Sequence, residues 1–191
     1  ADGSEYDVNS NDWIHTDFVI TAHDGYKISL NGMTDGEWTD TLTASDETDN
    51  GELIFYGKNT ATGVISTAVT ENYKIDKTAP TGEVKLNERT AFQKVLNMIT
   101  FGLFFREEVN VQLTAADEAS GVKSVQYYKS DTILMEAEVL AITVWTVNSD
   151  FDIKAKDKDK FIIYVRMEDN SGNVAYIGSE CAILDTTAPM V

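Results

Sequence analysis

The chain has 191 residues with 15 Lys+Arg against 32 Asp+Glu, a formal net charge of −17 at pH 7. Its length allows one large or two small domains, and its charge repels nucleic-acid phosphates and anionic headgroups, which excludes nucleic acid as a partner held by a basic face. A single cysteine leaves no intrachain disulfide, two histidines leave little from which to build a metal-dependent or His-based enzyme, and no apolar run approaches the roughly 20 residues of a bilayer span, so no membrane insertion is expected.

Residues 1–5 read as a disordered tail with neither the basic nor the apolar part of a signal peptide, so any export signal or anchor is expected outside these 191 residues. From residue 6 onward the hydrophobic period is two. Phe18, Ile20 and Ala22 alternate on one side of His23-Asp24-Gly25, and Tyr26, Ile28 and Leu30 on the other. Asp-Gly suits a tight turn, so the pattern predicts a β-hairpin. The run Tyr73-Lys74-Ile75-Asp76-Lys77-Thr78-Ala79-Pro80 ends in Asp-x-Thr-Ala-Pro, and the same ending returns at Asp185-Thr186-Thr187-Ala188-Pro189. Pro80 and Pro189 are the two prolines of the sequence. Proline removes a backbone donor and holds the preceding residue extended, which suits the end of a last strand. Asp76, Pro80, Asp185 and Pro189 therefore mark module boundaries: a first module at 6–79, a second at 80–185, and the start of a further linker at 186–191.

The second module opens with an exception to the period of two. Phe92, Val95, Leu96 and Ile99 fall at helical spacing and predict a short helix near 90–99, laid over one end of the module. The apolar run from Ile99 to Phe105 reads as a plug that covers the core. Val109, Val111, Leu113 and Ala115 then alternate with polar residues, as do Phe161, Ile163, Val165 and Met167 with their neighbours. The fold class expected is all-β, two tandem Ig-like β-sandwich modules built from antiparallel sheets.

Phe101-Gly102-Leu103-Phe104-Phe105, the stretch from Ala115 through Asp117-Glu118-Ala119-Ser120-Gly121 to Tyr128, the stretch from Tyr164 through Asp169-Asn170-Ser171-Gly172-Asn173 to Val174, and the closing Asp-Thr-Thr-Ala-Pro resemble the bacterial Ig-like repeats of large Gram-positive cell-surface proteins. Residues 6–79 resemble the shorter module that often precedes them, through Asp24-Gly25-Tyr26, Phe55-Tyr56-Gly57-Lys58-Asn59 and the strand ending at Pro80. The resemblance implies an extracellular protein, secreted or held at the bacterial cell surface or wall. In such proteins the modules act as non-catalytic spacers that present other domains, their partners being the neighbouring domains of the same chain. The alternative it implies is an adhesin or carbohydrate-binding module that recognises host or plant glycans, or host surface proteins.

Individual residues carry narrower expectations. Asp117 and Asp169 open acidic, glycine-containing loops. Such loops either cap turns by bonding backbone N–H groups or supply oxygens to calcium, which takes about six to eight. No cofactor is expected beyond that calcium alternative. Trp38, in polar turn-forming surroundings, and Trp13 are the candidate sugar-contact rings; Trp145 sits in an apolar run and is the weaker one. His15 and His23 belong to no ligand pattern. Cys181 alternates in phase with Ile177 and Ile183 and reads as a buried small hydrophobe. The sequence holds no nucleophile elbow, Walker loop or dinucleotide fingerprint, and no catalytic residue is assigned.

Overall fold

Runs in which alternate side chains are apolar can bury one face of an extended strand, and the computed structural model folds them in that way. It describes residues 12–33, 35–87, 103–105, 108–154 and 159–184. The tail at 1–5, the helix expected near 90–99, most of the plug at 99–105, and the boundary residues Asp185 and Pro189 lie outside the described residues. The chain divides into two compact units. One runs to Thr78 and takes in residues 118–120 and 170–173; the other holds Ala79–Asp117, Gly121–Asp169 and the residues from Val174 onward.

The first unit contains β1 (Trp13–Ile14), β2 (Phe18–Thr21), β3 (Tyr26–Ser29), β4 (Thr41–Ala44), β5 (Thr48–Asn59) and β6 (Val69–Ile75). They form one sheet in the order β1-β6-β5-β3 and a second of β2 and β4. The turn expected at Asp24-Gly25 is present: the Tyr26 N–H donates to the His23 carbonyl at 2.9 Å, and Gly25 has φ +83°, a value that glycine adopts without strain. The expected hairpin is not. β2 pairs with β4, Phe18 opposite Ala44, and β3 pairs with β5, Tyr26 opposite Asn59. The turn sends the chain across to the other sheet, where Ile28 and Phe18 each reach the interior. Phe18 stacks on Tyr73 of β6 at 5.0 Å between ring centres, so the two sheets meet through these rings.

The second unit contains β7 (Thr81–Asn87), β8 (Leu103–Phe105), β9 (Glu108–Ala116), β10 (Val122–Ser130), a short helix α1 (Glu136–Leu140), β11 (Thr146–Val147), β12 (Asp150–Lys154), β13 (Lys160–Asp169), β14 (Val174–Gly178) and β15 (Ala182–Leu184). One sheet runs β12-β9-β7; the other runs β11-β10-β13-β15-β8, with β14 also paired to β13. Between them Val109, Val111, Phe161, Ile163, Met167 and Leu184 are fully buried. Tyr127 of β10 and Phe151 of β12 stack at 4.0 Å, joining the two sheets. The chain is thus all-β, built as β-sandwich units, in agreement with its alternation.

Two details depart from a simple in–out pattern. In β13 the outward-facing Ile162 and Tyr164 are buried as well, because residues 134–145 fold back across that face and bring Leu134, Val139, Ile142 and Trp145 onto them. Cys181 is exposed rather than buried. It shares a phase with Ile183, but the core side of β15 is the opposite phase, Ala182 and Leu184, both fully buried.

Candidate functional site

Where β9 ends, Asp117 closes a turn: its Oδ1 accepts the Gly121 N–H at 2.7 Å, and Gly121 has φ +79°. Asp169, the last residue of β13, is fully buried. The structure brings the two together, with carboxylate oxygens within 4.8 Å of one another. Both are acceptor groups at strand ends of the second unit, and carboxylate oxygens are the donors that calcium takes.

Asp76 at the end of the first unit is fully buried too. Its Oδ1 accepts the Thr78 N–H at 3.0 Å and its Oδ2 the Ser120 N–H at 3.0 Å. Its carbonyl accepts Ser171 Oγ–H at 3.0 Å and Asn173 Nδ2–H at 2.9 Å. Burying a carboxylate requires such donors. The Asp-x-Thr spacing supplies one of them locally, since an aspartate oxygen reaches the backbone N–H two residues on. Pro80 is buried, and having no N–H it leaves no donor there to satisfy.

The tryptophans chosen from the sequence are both half-buried. An ammonium stands over each: Lys74 Nζ lies 5.7 Å from the Trp13 ring centre and Lys58 Nζ lies 5.3 Å from that of Trp38. Each contact is a cation–π pair. The Trp38 indole N–H is buried and has no hydrogen-bond partner. His15 Nδ1 lies 2.9 Å from the Ser171 carbonyl, and His23 bonds only locally to Asp24.

A further collection of chemistry-bearing side chains among the described residues lies on the outer face of β10, β13 and β14. Register places Gln126 opposite Arg166 and Tyr128 opposite Tyr164, and Arg166 opposite Tyr176 and Tyr164 opposite Gly178. Glu168 joins two cations, Lys123 and Arg166, each at 2.7 Å. The hydrogen bond from Lys123, and then that from Arg166, hold its carboxyl below the ordinary value of 4.5. Arg166 also donates to Gln126 at 3.2 Å.

Beside this polar ladder Trp145 sits between two tyrosines, 6.4 Å from Tyr128 in an edge-on contact and 5.9 Å from Tyr176 in a tilted one. Its indole N–H donates to the Ile142 carbonyl at 3.0 Å, which closes the loop after α1. The Tyr164 hydroxyl accepts the Leu134 N–H at 2.7 Å, pinning the near end of the same segment. Glu138 reaches back to the Met135 N–H at 2.7 Å and starts the helix. A cleft of about 430 Å³ opens between α1 and β14, lined among others by Glu136, Val139, Leu140, Tyr176 and Gly178.

Sequence reasoning noticed Trp145 only as a weak candidate. The signal that could have found this face is the run from Ile133 to Val147, whose apolar residues follow neither a strand nor a single helical period.

No protein-family model matches the chain, and no curated protein matches it. Among solved structures, the chain is similar to the fibronectin(III)-like modules of Clostridium thermocellum CbhA, with 11% identity over 91% of this chain and 86% of that one and a TM-score of 0.38. It is also similar to the FN1–FN3 domains of chicken CNTN1, with 13% identity over 91% of this chain and 65% of that one and a TM-score of 0.37. Both likenesses are loose.

Proposed function

We propose that this chain is a non-catalytic structural region of an extracellular bacterial surface protein, its β-sandwich modules acting as spacers that present other domains of the same polypeptide. The observation that supports this reading is the closure of the second unit's core. Ten hydrophobic residues, from Phe105 to Leu184, are buried between its two sheets, an apolar interior of the kind that lets a spacer module hold its shape. Burial of this kind contributes about 1.5–3 kcal/mol per large side chain. Pulling the chain from both ends in a single-molecule force experiment tests the role. A spacer yields discrete unfolding events that recover on relaxation; extension with no force peak, or loss of structure after one cycle, would overturn it.

Recognition is a second reading, favoured by the aromatic and apolar face beside α1. Tyr128 and Tyr176 are each 37% exposed there. For glycans, the ligand class suggested by the sequence resemblance, the test is an array of host and plant glycans probed in calcium, with Trp38→Ala and Tyr176→Ala as companions. Saturable binding lost in one of these variants would establish the contact ring.

A further inference from the structure

We propose that the face formed by residues 131–147 together with Tyr176 and Gly178 docks a protein segment that combines apolar side chains with positive charge. This goes beyond the structural reading and does not depend on it.

The segment carries two sets of apolar residues. Leu134, Val139, Ile142 and Trp145 turn inward and cover Ile162 and Tyr164. The others turn out: Ile133 is 80% exposed, Met135 72%, Leu140 56%, Val144 75% and Val147 73%. The first set anchors the segment, and the side chains of the second are left largely open to solvent. Five large apolar side chains are exposed within fifteen residues, and large apolar surface left open in this way often marks a binding site. The cleft between α1 and β14 adds a concave floor, because Gly178 has no side chain, and its volume falls within the range of about 300–1,000 Å³ typical of binding sites.

Charge selects among possible occupants. From Ser130 to Val147 there is no lysine or arginine, while Asp131, Glu136 and Glu138 are present, and Glu136 lines the cleft. Lys129 offsets Asp131 and Arg166 is engaged by Glu168, which leaves the charges of Glu136 and Glu138 on the rim. A second copy of this chain brings another −17 and the same acidic rim, which opposes association. An anionic lipid surface is repelled for the same reason. Sugars call for bare flat rings, whereas Trp145 is flanked on two sides by tyrosines and half of the cleft's lining is aliphatic. A segment with apolar anchors and a cationic fringe is complementary to both features.

The test uses the full chain and three synthetic peptides of about twelve residues, enough for a strand or for about three helical turns. One alternates Leu and Lys, one Leu and Glu, one Ser and Lys. Titration calorimetry is expected to show saturable binding of the Leu/Lys peptide, about tenfold tighter than either control. Amide resonance shifts are expected to concentrate at residues 131–147, Tyr176 and Gly178. Leu140→Ser with Val144→Ser removes exposed side chains and is expected to weaken binding about fivefold or more without lowering the melting temperature. If that variant melts early, Glu136→Lys, which touches only the rim, serves in its place and is expected to weaken the Leu/Lys peptide selectively. Val64→Ser, an exposed site in the first unit, is expected to change nothing. Equal affinity for the Ser/Lys peptide, shifts spread over the acidic surface of residues 12–78, self-association through Val144 in the absence of peptide, or a saccharide that moves these resonances when the Leu/Lys peptide does not would each overturn the proposal.

Discussion

Residues 12–78 and 79–184 follow the same period-two rule, yet they are held together by different means. Among the described residues of the first unit, Phe18, Ile28 and Ile75 are the buried large hydrophobics. Residues 1–78 carry four lysines against fifteen carboxylates, a net −11, whereas residues 79–191 carry eleven cations against seventeen, a net −6. The first unit compensates for a thin core with polar closures. Lys77 binds Asp17 and the Ser45 carbonyl, and Glu47 accepts both the Lys77 N–H and the Thr78 hydroxyl. The second buries an apolar interior from both sheets. The difference teaches that one strand pattern supports two regimes of stability, one sensitive to salt and pH, the other to side-chain volume.

The comparison breaks most readily at the second core. Met167→Ala and Phe161→Ala, both at fully buried positions, are expected to cost about 3–5 kcal/mol in urea unfolding, and to melt the second unit ahead of the first. If the first unit melted with it at every denaturant concentration, the two would not be separate folding units. Ile75→Ala, fully buried in the first unit, is expected to cost about 2–4 kcal/mol.

Glycine substitutions sharpen the contrast. A Cβ at Gly82 would collide with the sulfur of buried Met167 and with the backbone carbonyl of Thr114, which cannot move; Gly82→Ala is expected to cost about 1–3 kcal/mol. At Gly51 the collision is with the Tyr73 ring, which can swing aside, so Gly51→Ala is expected to cost less. Equal losses would mean that stacking on Phe18 holds Tyr73 as firmly as the second core holds Met167. Asp117→Ala removes the acceptor of the Gly121 N–H and is expected to cost about 1–2 kcal/mol, read as a lower melting temperature.

The smallest effects are electrostatic. Glu168 titrates below its ordinary 4.5 through Lys123 and Arg166, so its contribution is complete above that value and is lost as pH falls through the lower folded-state one. Glu168→Gln is expected to flatten the acid limb of the second unit's melting curve. Asp17, lowered from 3.8 chiefly by its hydrogen bond from Lys77, follows the same sign from that lower starting point. Its side chain is 45% exposed, so Asp17→Asn is expected to change the curve less. About 1 M salt, which shortens the screening length to roughly 3 Å, is expected to raise the melting temperature of the first unit more than that of the second.

The period of two along the chain determined the all-β class and the inward faces of β9 and β13, since Val109, Val111, Phe161 and Ile163 lie where their alternation places them. The Asp24-Gly25 dipeptide determined a turn, because its backbone preferences are local. Pairing is not local: β2 and β3 flank that turn and still part company, each taking the partner that buries Phe18 or Ile28. Cys181 shows the same limit, for alternation defines two faces of a strand without saying which of them meets the core. The meeting of Asp117 and Asp169, and the placing of Trp145 between Tyr128 and Tyr176, join residues far apart in the chain. Such juxtapositions depend on which sheet each strand enters, and that is decided by the closing of the whole core rather than by any stretch of sequence within it.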